Sequence, residues 1–117
     1  MAQYQHLPIY KVTYDLLVAV TAATKHFPRD FKTFALRIRE DVMDVVLLIY
    51  RANSSRAERA TVLNTLVERM QAIDLALRLA KDLHLLSVKQ FSSIIVLTDS
   101  VTRQASGWRK TSAVAAE

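Results

Sequence analysis

The sequence predicts an all-α protein that folds as an antiparallel, up-down four-helix bundle. Along most of the 117 residues, apolar side chains recur at steps of three and four, the period of an amphipathic helix. One glycine and two prolines are too few for the many turns of an all-β fold. Four segments of similar length are joined by short connections, and short connections make consecutive helices antiparallel neighbours.

The first helix is predicted over about 8–27 and the second over about 30–52. Pro8 suits the first helical position because its missing N–H would have no partner there. Pro28 disfavours helical geometry in the residue before it, and Asp30 is a candidate N-cap for the second helix. The expected core stripes of the two helices are Ile9, Val12, Leu16, Ala19, Ala23 and Phe27, then Phe31, Ala35, Ile38, Val42, Val45, Ile49 and Ala52.

Two capping boxes mark the later helices. Ser55 with Glu58 predicts a third helix over about 56–84, and Ser87 with Gln90 predicts a fourth over about 88–109. Gly107 should weaken the last turn, and residues 111–117 are expected to fray. No repeat or linker interrupts the chain, so 1–117 is interpreted as a single domain. The expected core stripes are Leu63, Leu66, Met70, Ile73, Leu77 and Ala80, then Phe91, Ile94, Thr98, Val101, Ala105 and Trp108.

Three helices carry more apolar residues than one core-facing stripe needs, beginning in the first helix with Tyr10, Tyr14, Leu17 and Val18. Helices that are apolar on two sides favour self-association, because a monomeric bundle buries only one side. A wide core-facing stripe with a few exposed leucines is the alternative. The candidate oligomer interface comprises Tyr10, Tyr14, Leu17, Met43, Leu47, Tyr50, Leu75 and Leu79.

Catalytic and metal chemistry is not expected. The chain has no cysteine, and no histidine follows a glutamate by three residues, as di-metal bundle sites require. A single glycine excludes a phosphate-cradling loop, and the serines at the predicted helix starts are explained as caps. Glu40, Asp41 and Asp44 are interpreted as a solvated face, with Arg37 pairing to Asp41. We therefore predict no enzyme activity, no catalytic residues, no metal and no cofactor.

The excess of basic over acidic residues favours an anionic partner. The net charge is +5 and the pI is about 9.8, which on a small helical protein points to the backbone of RNA or DNA. The alternative is that the cations complement helix C-termini or pair with nearby carboxylates. The candidate nucleic-acid-binding residues are Arg51, Arg56, Arg59, Arg78, Lys81, Arg103, Arg109 and Lys110.

The N-terminus lacks the basic start and apolar run of a signal peptide. Charged residues break every apolar stretch before it reaches the length of a membrane span. These features predict a cytoplasmic protein with no membrane partner.

Nine short strings follow one another along the chain: LPIYK at 7–11, YDL at 14–16, FPR at 27–29, IYRANS at 49–54, LRL at 77–79, DL at 82–83, LSVKQF at 86–91, RQ at 103–104 and GWRK at 107–110. Taken in order, they resemble the four-helix-bundle proteins of ribosomal-RNA intervening sequences. That family includes the accessory variability protein of diversity-generating retroelements. The resemblance implies a homopentameric barrel of bundles and, for retroelement members, a basic surface that binds nucleic acid and a partner reverse transcriptase. It implies no catalytic motif.

Charge, apolar surplus and resemblance together predict a non-enzymatic, oligomeric, nucleic-acid-binding accessory protein. The alternative is a structural or protein-interaction scaffold that has no nucleic-acid role.

Overall fold

The computed structural model describes residues 4–116, which form four α-helices and two short 3-10 turns, with no strand in that range. The helices are α1 (Pro8–Thr24), α2 (Lys32–Ser54), α3 (Arg59–Asp82) and α4 (Val88–Ala116). The 3-10 turns cover Tyr4–His6 and Arg29–Phe31. The sequence-based prediction of an all-α protein with four helices is confirmed.

The core lies between four helices that each pack against two others. α1 contacts α2 and α4, and α3 contacts the same two helices, in a body of 48 × 23 × 20 Å. The stripes expected for the second and third helices are buried from Ala35 to Ala52 and from Leu63 to Ala80. Phe31, Phe91 and Trp108 are half-buried against the edge of this core.

In α1 the buried face is rotated from the one expected. Thr13, Val20 and Thr24 are buried, whereas Val12 and Ala19 are only half-buried. A threonine can enter the core because its hydroxyl donates to the carbonyl four residues earlier, and both Thr13 to Ile9 and Thr24 to Val20 do so at 2.7 Å. The polarity of threonine concealed this face in the sequence.

The connection between α1 and α2 differs from the prediction. α1 ends at Thr24 rather than near residue 27, although Phe27 is buried as expected. Asp30 does not cap α2; it lies within a 3-10 turn, and Phe31 takes the N-cap position without a side-chain hydrogen bond. Pro28 explains the shift, because its ring keeps the preceding residue out of helical geometry.

The first capping box is half formed, so α3 begins at Arg59 rather than at residue 56. The Glu58 N–H donates to Ser55 Oγ at 3.3 Å. The reciprocal bond is missing because the Ser55 N–H donates to the Arg51 carbonyl and extends the end of α2, which reaches Ser54. One residue cannot complete both helix ends with a single N–H.

The second capping box is complete, and α4 begins at Val88 as predicted. The Gln90 N–H donates to Ser87 Oγ at 3.0 Å, and the Ser87 N–H donates to Gln90 Oε1 at 2.9 Å. Each bond satisfies an N–H that the first turn of a helix leaves unpaired.

Removing the hydroxyl of Ser87 should therefore destabilise the protein more than removing that of Ser55. We expect Ser87→Ala to lower the free energy of unfolding by about 1 kcal/mol, and Ser55→Ala by roughly half of that or less. Urea denaturation followed by circular dichroism measures both. Ser92→Ala, on an exposed turn of the same helix, is the control. Equal losses for Ser55 and Ser87 would contradict the assignment of a half box and a full box.

α3 ends two residues before the predicted position because His84 adopts a left-handed conformation, with φ of 61°. The His84 N–H donates to the Lys81 carbonyl at 3.0 Å, and the Leu85 N–H donates to the Ala80 carbonyl at 2.8 Å. This pair of bonds is the Schellman motif, whose left-handed position glycine usually occupies. A residue with a Cβ is strained there.

Substitution of His84 by glycine should stabilise the protein by about 0.5–1 kcal/mol, since glycine reaches this φ without a Cβ clash. The measurement is the midpoint of urea unfolding. His84→Ala removes the imidazole but keeps the Cβ, so it should bring no such gain. A similar gain from both variants would assign the effect to the imidazole rather than to the backbone.

α4 continues to Ala116, which corrects the expectation of a helix end near residue 109 and a frayed tail. Gly107 lies inside this helix, and the Thr111 hydroxyl donates to its carbonyl at 3.1 Å. A glycine lowers helix propensity without breaking the hydrogen-bond ladder, because it keeps its N–H. Of the expected tail, Glu117 lies outside the described residues.

Candidate nucleic-acid interface

The last turn of α2, the first turns of α3 and the last third of α4 meet at one end of the bundle, and Arg59 joins them. Arg59 Nε donates to the carbonyl of Ala52 at 2.7 Å, and Nη2 donates to the carbonyl of Asn53 at 3.4 Å. Its guanidinium carbon lies 5.5 Å from the centroid of the Trp108 ring. Arg59 therefore satisfies two carbonyls at the C-terminus of α2 and covers a half-buried tryptophan, which is a structural role.

The other cations at this end make fewer contacts within the protein than Arg59 does. Arg51, Arg56 and Lys110 are exposed, and in the described part of the chain no carboxylate pairs with them. Arg109 Nη1 donates to Asn64 Oδ1 at 3.1 Å, which holds α4 against α3. We call these four residues, Arg51, Arg56, Arg109 and Lys110, the basic end. Their charges are available for an anion in solution.

Arg103 is exposed on α4, six residues before Arg109. At a rise of 1.5 Å per residue, this is about 9 Å farther along the axis. Arg103 lies outside the basic end but within reach of a ligand as long as a nucleic acid.

Arg78 and Lys81 lie on the last turns of α3, about 30 Å along that helix from Arg59. Arg78 Nε donates to Asp74 Oδ2 at 2.8 Å. The Phe91 ring centroid lies 5.8 Å from the Arg78 guanidinium carbon and 4.8 Å from Lys81 Nζ. The hydrogen bond and charge of Asp74 raise the pKa of Arg78 above its usual range. Within one chain, then, the eight predicted basic residues do not form a continuous surface.

Two of the three acidic residues of α2 form ion pairs with α3, whereas Glu40 is exposed. Arg69 Nη1 lies 3.3 Å from Asp41 Oδ1 and 3.1 Å from Asp44 Oδ2. This contact replaces the pairing of Arg37 with Asp41 that the sequence suggested, and spacing along one helix gives no signal of it. Among the residues described, no three His, Cys, Asp or Glu side chains are grouped so as to hold a metal ion.

Six of the eight candidate interface residues are exposed on the monomer: Tyr14, Met43, Leu47, Tyr50, Leu75 and Leu79. The other two, Tyr10 and Leu17, are half-buried against the core. Tyr10 lies between Tyr4 and Tyr14, with ring centroids 5.3 and 6.1 Å away, and Tyr4 lies 5.1 Å from Tyr50. Aromatic contacts thus join the start of α1 to the end of α2 and present a partly exposed apolar surface.

Comparisons with known proteins add no relative. No protein family, curated protein or solved structure matches this chain. The resemblance to the intervening-sequence and retroelement families therefore stays a prediction that rests on the strings quoted above. In the range 4–116, no helix combines the length and apolar character needed to cross a membrane.

Proposed function

We propose that this protein is a non-enzymatic, self-associating helical bundle that binds the phosphate backbone of RNA or DNA. The basic end carries the proposal, because Arg51, Arg56 and Lys110 are exposed there and pair with no carboxylate of residues 4–116. Arginine and lysine neutralise phosphates and release counterions, which supplies affinity without sequence specificity. Arg59 supports this end by holding α2, α3 and Trp108 together.

The helices are proposed to run up and down in chain order. Arg59 near the start of α3 contacts Ala52 near the end of α2. Arg39 near the start of α2 contacts Thr24 at the end of α1. Arg109 late in α4 contacts Asn64 early in α3. Each contact joins the end of one helix to the beginning of another, as antiparallel neighbours require.

Self-association is supported by the large apolar residues that α1, α2 and α3 leave exposed, because exposed apolar surface beyond single scattered residues often marks an interface. The resemblance extends the proposal to a pentamer and, for a retroelement member, to a reverse transcriptase as protein partner. The cytoplasmic location that the sequence predicts is also part of the proposal. In a ring, copies of the basic end would combine into one larger positive surface.

The affinity for structured RNA and for duplex DNA should fall steeply as salt rises from about 50 to 200 mM. The plot of log affinity against log salt concentration has a negative slope. For duplex DNA, Arg51→Ala combined with Arg56→Ala should reduce the magnitude of this slope by about 1.8, if each arginine neutralises one phosphate. Fluorescence anisotropy at several salt concentrations measures the slope.

The matched control is Arg29→Ala combined with Lys89→Ala. Both are exposed cations away from the basic end, and this variant loses the same number of charges. Its slope should stay close to that of the unmodified protein. Equal slopes for the two double variants would assign binding to net charge alone, and no binding at the lowest salt would reject the proposed nucleic-acid function.

A structural or protein-interaction scaffold is the second candidate, favoured by the exposed leucines of α3. It predicts a stable oligomer that binds no nucleic acid at any salt concentration, which the same titration tests.

A further inference from the structure

An open groove of about 770 Å³ runs between α1 and α2. Tyr14, Leu17 and Val18 form its apolar part, and no acidic residue lines it. Lys25, Lys32 and Arg39 supply cations toward the end where α1 finishes and α2 begins. The groove is thus suited to a partner that is apolar in one part and anionic in another.

Arg39 is the most buried of the three groove cations and therefore gains most from an anionic partner. It is half-buried, and its Nη1 donates to the Thr24 hydroxyl at 3.1 Å. Within 4–116 no carboxylate forms an ion pair with it. A partly desolvated guanidinium without an anion is unusual, since buried arginines are normally paired.

The outward face of α3 has the complementary character. Leu75 is 69% exposed, and Leu79 and Leu83 are 46% and 45% exposed. Glu68 and Asp82 share this face, because positions seven residues apart on either side of Leu75 return to nearly the same angle around a helix. Both carboxylates are exposed. Asp82 contacts Lys81 at 3.9 Å and interacts electrostatically with Arg78, but it forms no short ion pair with either within 4–116. We call Glu68, Leu75, Leu79, Asp82 and Leu83 the α3 ridge.

We propose that the α3 ridge of one copy occupies the α1/α2 groove of a second copy. Leu75 and Leu79 would pack against Tyr14, Leu17 and Val18, while Asp82 approaches the groove cations. This inference rests on the self-association proposed above and names the two faces that make it. Charge complementarity favours a second copy, because this chain already presents the leucines and carboxylates that the groove accepts.

The positions of the charges also give the direction of the neighbour. Asp82 lies at the C-terminal end of α3, and Lys25 follows the C-terminal end of α1. In an up-down bundle these two helices point the same way, so the charges meet only if neighbouring copies stand side by side in the same orientation. α1 and α3 both pack on α2 and α4, which places α3 diagonally across the bundle from α1, so groove and ridge face different directions. Two copies alone then cannot satisfy both faces; the contact is heterologous and closes only in a ring of three or more copies.

Val18→Asp in the groove and Leu75→Asp on the ridge should each convert the oligomer into a monomer of 13.3 kDa. Val18 is 53% exposed and Leu75 is 69% exposed, so neither change places a charge in the core. Val96→Asp on α4, at a position 65% exposed, is the matched control and should leave the oligomer intact. Light scattering after size exclusion gives the masses, and circular dichroism verifies the fold.

Mixing the two monomeric variants provides the sharpest result. The Val18→Asp chain keeps an intact ridge, and the Leu75→Asp chain keeps an intact groove, so they should form a one-to-one complex that cannot grow. An interface made of the same patch on both copies would give no complex, which would overturn the proposal.

Charge reversal separates the ion pairs from the apolar contact. Lys25→Glu in the groove or Asp82→Lys on the ridge should each weaken assembly by about tenfold, and the two changes together should restore most of it. No restoration would overturn the assigned pairing of ridge and groove.

The outcomes distinguish this inference from the proposed function. A wild-type oligomer that persists in Val18→Asp and Leu75→Asp, or a wild-type dimer, overturns the groove-and-ridge contact but leaves self-association standing. A monomeric wild type overturns both the groove-and-ridge contact and self-association. A foreign acidic peptide or an anionic amphiphile that fills the groove of such a monomer does not change this conclusion. The salt titration of nucleic-acid binding is independent of all these results.

Discussion

Leu66→Ala should lower the free energy of unfolding by about 2–5 kcal/mol, one of the largest single-residue effects expected in this protein. Leu66 is fully buried in α3, so its truncation removes apolar contacts and leaves a cavity that a close-packed core fills only in part. For a chain of 117 residues, each kcal/mol corresponds to roughly 4 °C in the unfolding temperature. Thermal unfolding should therefore shift downward by roughly 8–20 °C.

Leu36→Ala is the matched control, because it removes the same atoms from a leucine on the exposed face of α2. A change within about 0.5 kcal/mol is expected, since surface substitutions of this kind have little effect. All variants need to be compared at one protein concentration, because self-association stabilises the folded chain by mass action. Similar losses at Leu36 and Leu66 would contradict the assignment of the core.

Arg59→Ala should lower the free energy of unfolding by about 1.5–3 kcal/mol, an unusually large effect for a half-exposed arginine. The substitution leaves the carbonyls of Ala52 and Asn53 at the end of α2 without the guanidinium that now bonds them. It also uncovers one face of Trp108. Equilibrium unfolding in urea, monitored by tryptophan fluorescence, reports both the stability and the environment of Trp108.

Two variants define the reason for the loss. Arg56→Ala removes an exposed arginine from the preceding turn and should change stability by less than about 0.5 kcal/mol. Arg59→Lys should recover only part of the loss, because an ammonium lacks the planar fork that reaches two carbonyls while lying on an aromatic ring. Full recovery by lysine would indicate a contribution from charge alone.

Arg59 also illustrates the limit of assigning a basic surface from sequence. Arg56 and Arg59 look equivalent in the chain, since both flank the turn between the second and third helices. In the folded protein Arg59 caps α2, whereas Arg56 remains free in solvent. Arg39 shows the converse, because it is absent from the basic residues that the sequence singles out, yet it lines the groove.

The sequence by itself determined the helical class, the number of helices and most of the core, because these depend on periodicity and on bonds between residues three or four apart. The buried stripes of α2 and α3 and the complete Ser87–Gln90 box are examples. Only the tertiary structure decided the rotation of α1, the partner of Asp41 and Asp44, and the separation of the basic residues into two groups. Those features depend on which helices pack together and on how the helices are aligned along their axes. The periodicity of one helix carries no information about either.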